Sequence, residues 1–127
     1  MTNGPTVEMH WEQERLIVVA DGTTEPSWVL GLIDRIGEAA ASHSTRSVLV
    51  DARRLRAVYA DLDRYNMGVQ MGRRWREIPY ALVAAADMVD PRRFGEVVAQ
   101  NRGVNGRVFI DLAEAERWLN DQHSRRS

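Results

Sequence analysis

Apolar residues recur along this chain in two rhythms, and the switches between them mark out its elements. Val7, Met9 and Trp11 alternate with polar residues, which predicts a strand at a sheet edge over Val7 to about Glu12. Glu12-Gln13-Glu14 supplies a polar turn. Leu16-Ile17-Val18-Val19, within Arg15–Ala20, is a continuous apolar run suited to a strand buried on both faces. These two strands read as a hairpin, and Asp21-Gly22-Thr23-Thr24 as the loop that follows. The rhythm then changes to steps of three and four. Trp28, Val29, Leu32, Ile33, Ile36 and Ala40 make one apolar helix face over Pro26–Ala41, with Pro26 in the first turn, where its missing N–H costs nothing.

Ser47-Val48-Leu49-Val50-Asp51 is the next strand, and the remaining elements are laid out beside it. A helix between two apolar runs is the mark of a crossover joining parallel strands. Arg53–Ala60 has no clear rhythm. From Asp61, as N-cap, a helix carries Leu62, Tyr65, Val69 and Trp75 on its expected inward side, with Met67 and Met71 on a neighbouring face. Gly68 and Gly72 lie four apart within it. A helical glycine costs about 1 kcal/mol against alanine, so the pair points to close approach of another backbone. One face of this helix could lie on the sheet and the other on a partner subunit, or both could form a single wide stripe toward the core.

Ile78-Pro79 ends that helix, and Tyr80–Ala86 reads as a small apolar strand. Asp90 as N-cap and Pro91 at the first helical position open another helix. In it Phe94, Val97 and Val98 are expected to face the core, and Gly103 to stop it. Val104–Ile110 is a last strand. Asp111 and Glu114 have capping-box spacing before a terminal helix whose apolar face is Leu112, Ala115, Trp118 and Leu119. The order β-β-α-β-α-β-α-β-α predicts an α/β fold: a five-stranded, mostly parallel sheet with an antiparallel edge strand, flanked by four helices. Residues 1–6 are expected to be disordered, 7–120 to form one domain, and 121–127 to be a polar tail.

Composition narrows the chemistry. With 127 residues and 44% hydrophobic content, the chain suits a single core. It has no cysteine, which removes disulfides, thiolate metal sites and cysteine nucleophiles. All 17 basic residues are Arg, so a Schiff-base or phosphate-binding lysine is excluded as well. The net charge is −1, too small to steer the whole chain toward nucleic acid or membrane. No basic-then-apolar leader is visible, and no apolar run approaches the roughly 20 residues needed to span a bilayer. The expectation is a cytoplasmic protein.

Charge is nonetheless uneven. Residues 1–45 hold Glu8, Glu12, Glu14, Asp21, Glu25, Asp34 and Glu38 against Arg15 and Arg35. Residues 53–76 hold Arg53, Arg54, Arg56, Arg64, Arg73, Arg74 and Arg76 against Asp61 and Asp63. The arginines could bind phosphate, but Arg53, Arg54 and Arg56 are not helically aligned and no aromatic interleaving supports base stacking. That argues against a nucleic-acid partner. No Walker A, G-x-G-x-x-G or G-x-S-x-G pattern occurs. His10, His43 and His123 fall on an edge strand, a loop and the tail, without metal-ligand spacing. Asp21, Asp51 and Asp87 fall at strand ends. They could share a cation or do acid–base work, or simply cap turns, as Asp commonly does.

The run Phe94-Gly95-Glu96-Val97-Val98-Ala99-Gln100-Asn101-Arg102-Gly103, then Val108-Phe109, Glu114-Ala115 and Trp118-Leu119, resembles the SpoIIAA-like branch of the STAS superfamily, the relatives of anti-sigma-factor antagonists, also described as STAS/SEC14-type domains. The resemblance spans about residues 7–120 and implies a non-enzymatic regulatory domain. Regulatory members carry a phosphorylatable Ser or Thr in the turn after the central strand. The corresponding stretch here, Arg56–Asp63, has neither, and Asp61 could stand as a fixed negative charge at the helix start. The leading expectation is therefore a domain, without cofactor or metal, that binds a protein partner or forms a homodimer through Tyr59, Asp61, Met67, Met71 and Arg74. The alternative is a carrier of lipid or another small hydrophobic or anionic ligand, with its pocket near Trp28, Tyr65 and Trp75.

Overall fold

The computed structural model describes residues 4–126, with side chains described through Gln122. Its elements are β1 (Thr6–Glu12), β2 (Arg15–Thr23), α1 (Pro26–Ser42), β3 (Ser47–Arg56), α2 (Asp61–Arg74), β4 (Tyr80–Ala84), a short 3-10 turn (Ala86–Met88), α3 (Phe94–Asn101), β5 (Gly106–Phe109) and α4 (Leu112–Arg126). The strands lie in the order β1-β2-β3-β4-β5. β1 runs antiparallel to β2, and every other pairing is parallel. The expected α/β architecture is the one observed, with β3 at its centre.

Burial explains why β3 is central. Ser47, Val48, Leu49 and Val50 are all buried. Val48 and Val50 face one side with Leu16 and Val18, beneath α1, α2 and α3. Leu49 faces the other with Ala81 and Val83, beneath Ala115 and Leu119 of α4. Burying each such side chain contributes roughly 1.5–3 kcal/mol. The polar groups buried beside them are satisfied. The Ser47 hydroxyl accepts from Arg15 Nε at 2.9 Å, and the Thr45 hydroxyl from Trp11 Nε1 at 3.0 Å.

Three helices crowd the first face, and glycines let them meet. A Cβ on Gly68 would stand 2.7 Å from Val98 Cγ1 and 2.8 Å from the Gly95 carbonyl oxygen of α3. One on Gly37 of α1 would stand 2.6 Å from the Arg74 carbonyl oxygen of α2. The close backbone approach expected at Gly68 is thus real, and its partner is α3 of the same chain. Trp75, just past α2, locks the far end: its Nε1 donates to the Ile33 carbonyl at 3.0 Å, and its ring stacks on Tyr80 with centroids 4.2 Å apart.

Several boundaries differ from expectation. The loop expected at Asp21–Thr24 is largely strand, because Asp21, Gly22 and Thr23 pair with Arg54, Leu55 and Arg56 across a register shift after Val19. The same pairing extends β3 five residues past Asp51. The inward face of α2 is Gly68 and Met71, while Leu62 and Tyr65 are exposed. Val97 likewise points outward, and Val98 and Ala99 inward. The N-cap of α2 is Ala60, whose N–H donates to Asp63 Oδ2 at 2.7 Å, and Asp61 is the first helical residue. Asp90 is not the residue adjoining α3. Its carboxylate reaches over a turn to accept from Arg92 N at 3.2 Å and Phe94 N at 3.1 Å, so Pro91 lies in the turn and Arg93, at φ 51°, immediately precedes the helix. Asp111 does accept from Glu114 N, at 3.1 Å, as its spacing predicts. At the ends, Thr6 already belongs to β1, and α4 continues to Arg126 where a polar tail was expected. Residues 1–3 of the stretch expected to be disordered, and the side chain of His123, lie outside the described residues.

The glycine contacts predict opposite signs for two alanine substitutions. Gly68→Ala gains about 1 kcal/mol of helix propensity but meets overpacking of about 1–3 kcal/mol, and a net loss is expected. Gly31→Ala, in α1 with nothing within 4 Å of the new methyl, is expected to gain up to about 1 kcal/mol. Urea unfolding checks both, and a stabilised Gly68→Ala would refute the close-approach account. A second prediction concerns acid. The N–H of Phe94, first, and the nearby arginines hold Asp90 below the usual carboxylate range. A depressed folded value contributes stability above the unfolded value of about 3.9 and loses it as pH falls through that region. The melting temperature is therefore expected to fall on acidification below about pH 5, and less steeply in Asp90→Asn than in the parent.

Candidate functional site

Two features stand out beside α2. The first is a cleft of about 190 Å³ between the three-helix layer and the sheet. Ile33 and Ile36 of α1, Met67 and Met71 of α2, and Val50 and Leu82 of the sheet supply its walls, with Trp75 beside them. The cleft lies beneath α2, which packs closely against α3 at its own Gly68 and against α1 at Gly37 of that helix. Arg64, Asp90, Arg93 and Glu96 border it. These charges are matched among themselves. Arg64 lies 3.9 Å from Asp90 and donates to the Tyr59 carbonyl at 3.0 Å. Arg93 donates to Glu96 at 3.2 Å and to the Val108 carbonyl at 2.9 Å, and Glu96 accepts from Val108 N at 3.0 Å.

The second feature is the outer side of the β3–α2 connection. Val58 is 90% exposed, Leu62 67% and Tyr65 40%. Three of the five large apolar side chains exposed among the described residues thus fall within eight positions, the others being Val97 and Ile110. Val58 and Leu62 straddle the helix start, and Leu62 and Tyr65 share one helix face by their three-residue spacing.

The residues singled out from sequence divide between these features. Met71 is buried and Met67 half-buried, and both line the cleft. Tyr59 is half-buried, borders the cleft, and has its phenol pushed up in pKa by burial. Asp61 and Arg74 are outside it: Asp61 pairs with Arg92 at 2.5 Å and Arg74 with Asp34 at 3.2 Å. Of the aromatic trio, Trp75 borders the cleft, but Trp28 and Tyr65 do not. Tyr65 instead stands at the surface, its ring 5.4 Å beneath the Arg102 guanidinium. Val58, Leu62 and the charged rim were missed. Val58 stands in the run Ala57-Val58-Tyr59-Ala60 between Arg56 and Asp61, where nothing local marks it as the outward residue. Nothing local in sequence signals the rim, whose members come from α2, the β4–α3 loop and α3.

The carboxylates expected at strand ends each have an arginine, although Asp51 falls midway along β3, Asp21 two residues short of the end of β2 and Asp87 in the 3-10 turn after β4. Asp21 lies 3.3 Å from Arg54, Asp51 2.8 Å from Arg53 and Asp87 2.6 Å from Arg56. Hydrogen bonds from the arginine side chains hold Asp51 and Asp87 below the usual carboxylate range. Among the described residues no three His, Cys, Asp or Glu side chains gather as a metal-ligand set. Two ion pairs, Asp21–Arg54 and Asp34–Arg74, join the acidic and arginine-rich stretches of the sequence. Among the described residues no helix is long and apolar enough to cross a membrane.

No family model matches the chain, nor does any curated protein. Solved structures do match it. An anti-sigma factor antagonist from Mycobacterium paratuberculosis is 14% identical with a TM-score of 0.64, over 93% of this chain and 96% of that one. An uncharacterised protein of the DUF3478 family from Shewanella loihica, described as having a SpoIIAA-like fold, is 17% identical with a TM-score of 0.52, over 94% and 98%. At such identities the likeness speaks for architecture. This chain has the SpoIIAA-like α/β fold that its 94–119 stretch resembles.

Proposed function

We propose that this chain is a non-enzymatic, cytoplasmic interaction domain that docks a protein partner on the outer side of the β3–α2 connection. The observation that carries the reading is the exposure of Val58, Leu62 and Tyr65 together, at a helix start whose charged groups are already paired. Scattered exposed apolar residues are ordinary, but a cluster rimmed by charge is a common mark of a protein-binding surface. The fold shared with an anti-sigma factor antagonist, whose name implies a protein target, supports the same class of role. Control by phosphorylation at this turn is not part of the proposal, since Arg56–Asp63 contains no Ser or Thr. The surface differs from the one expected from sequence. Tyr59 and Asp61 remain at its edge, and Val58, Leu62 and Tyr65 replace the inward-turned methionines.

A photo-crosslinking residue placed at position 62 in cells is expected to capture one defined protein. The same residue at Glu8, on the far face of the sheet, is expected not to. With the captured protein purified, Leu62→Asp is expected to weaken binding about 30-fold or more, equivalent to about 2 kcal/mol. Its unfolding free energy should stay within about 0.5 kcal/mol of the parent, because the site is exposed. A second copy of the chain as the captured species would make this a homodimer surface. Equal capture from both positions, or undiminished binding by Leu62→Asp, would sink the reading.

A further inference from the structure

We propose that the cleft beneath α2 is a binding site for a compact, uncharged apolar molecule of about six to eight heavy atoms, an inference independent of the docking reading. Size sets the class. An apolar cavity of about 150 Å³ is enough for benzene, whereas pockets for drug-sized ligands run to about 300–1,000 Å³. At about 190 Å³ this cleft takes a single ring or a short alkyl chain, and it is too small for a two-chain lipid. The lipid-carrier expectation thus contracts to a much smaller ligand.

The lining sets the chemistry. The walls are aliphatic, thioether and indole surface: Ile33, Val50, Met67, Met71, Trp75 and Leu82. Methionine adapts to irregular shapes and makes favourable sulfur–aromatic contacts, so Met67 and Met71 can close on a planar guest. The charged groups at the border are already committed, except Arg107, which is exposed and lies 5.9 Å over the Phe109 ring. Trp75 Nε1 donates to Ile33, Arg64 to Tyr59, Arg93 to Val108, and Glu96 accepts from Val108. Away from exposed Arg107, a charged ligand would have to break these bonds or enter without a partner, and an unpaired buried charge is costly. An uncharged guest displaces only water or void. Burial grades along the cleft, from Met71 and Trp75 at its floor to half-buried Tyr59, Met88 and Val89. That places the entrance between the start of α2 and the loop before α3.

Methionine methyls report directly on occupancy, because Met67, Met71 and Met88 border the cleft while Met9 lies on β1. Protein labelled with 13C at the methionine methyls would be titrated with benzene and with 1-hexanol. The three cleft methyls are expected to shift saturably, with Met9 unmoved. Hexanoate, with the same six carbons but one of them in a charged carboxylate, is expected to bind at least tenfold more weakly than 1-hexanol, beyond the roughly fourfold loss that one methylene accounts for. Ala52→Leu, which adds bulk at the cleft wall, is expected to weaken benzene binding at least tenfold. If the cleft methyls of the parent protein stay still up to the solubility limit of both probes, or Met9 moves in step with them, the site assignment is overturned. If hexanoate binds as well as 1-hexanol, the uncharged class is overturned. The parent titration decides the matter even if Ala52→Leu does not fold.

Discussion

The approach of α2 to its two neighbours, closer than any side chain at Gly37 or Gly68 would allow, is the contact on which the rest of this molecule depends. It joins α1, α2 and α3 into one layer on a single face of the sheet. Gln70 and Arg74 of α2 reach Asp34 of α1, and Trp75 anchors the end of α2 on the Ile33 carbonyl. Held sideways in this way, α2 lies over a cleft whose other wall includes Val50 and Leu82 of the sheet. The same placement turns Leu62 and Tyr65 outward. Cleft and exposed apolar surface are therefore two consequences of one packing arrangement.

Electrostatics play a supporting part. Arginines in the second half of β3 pair with Asp21 of β2, Asp51 of β3 and Asp87 in the turn after β4. Surface pairs of this kind contribute only about 0–1 kcal/mol each, so they do not hold the fold together. Their effect is on chemistry: they occupy the three carboxylates that the sequence offered for a cation or acid–base site. At the cleft border the pairing of Arg64, Asp90, Arg93 and Glu96 ties α2, the β4–α3 loop, α3 and β5 into one rim.

What could be read from residues was what local periodicity encodes. The element order, the antiparallel first strand and the core faces of α1 and α4 follow from runs, alternation and three-to-four spacing. Each is a property of neighbours in sequence, and each appears in the fold. The face of α2 was misjudged for a physical reason. Periodicity counts large apolar side chains, and Leu62, Tyr65 and Val69 outweigh a glycine that contributes none. Yet Gly68 marks the buried side, because absence of a side chain is what permits helix contact.

By itself, then, the sequence determined the fold class, the central position of Ser47–Val50 and the absence of thiol and lysine chemistry. These depend on hydrophobic pattern and residue type alone. Only the tertiary structure decided how far β2 and β3 extend, since Asp21–Thr23 and Arg54–Arg56 are strand only by pairing with each other. It alone decided that Met67 and Met71 line a cleft while Val58 and Leu62 face outward. That outcome depends on the rotation of α2 about its axis, set by contacts with helices distant in the chain and invisible in its own stretch of sequence.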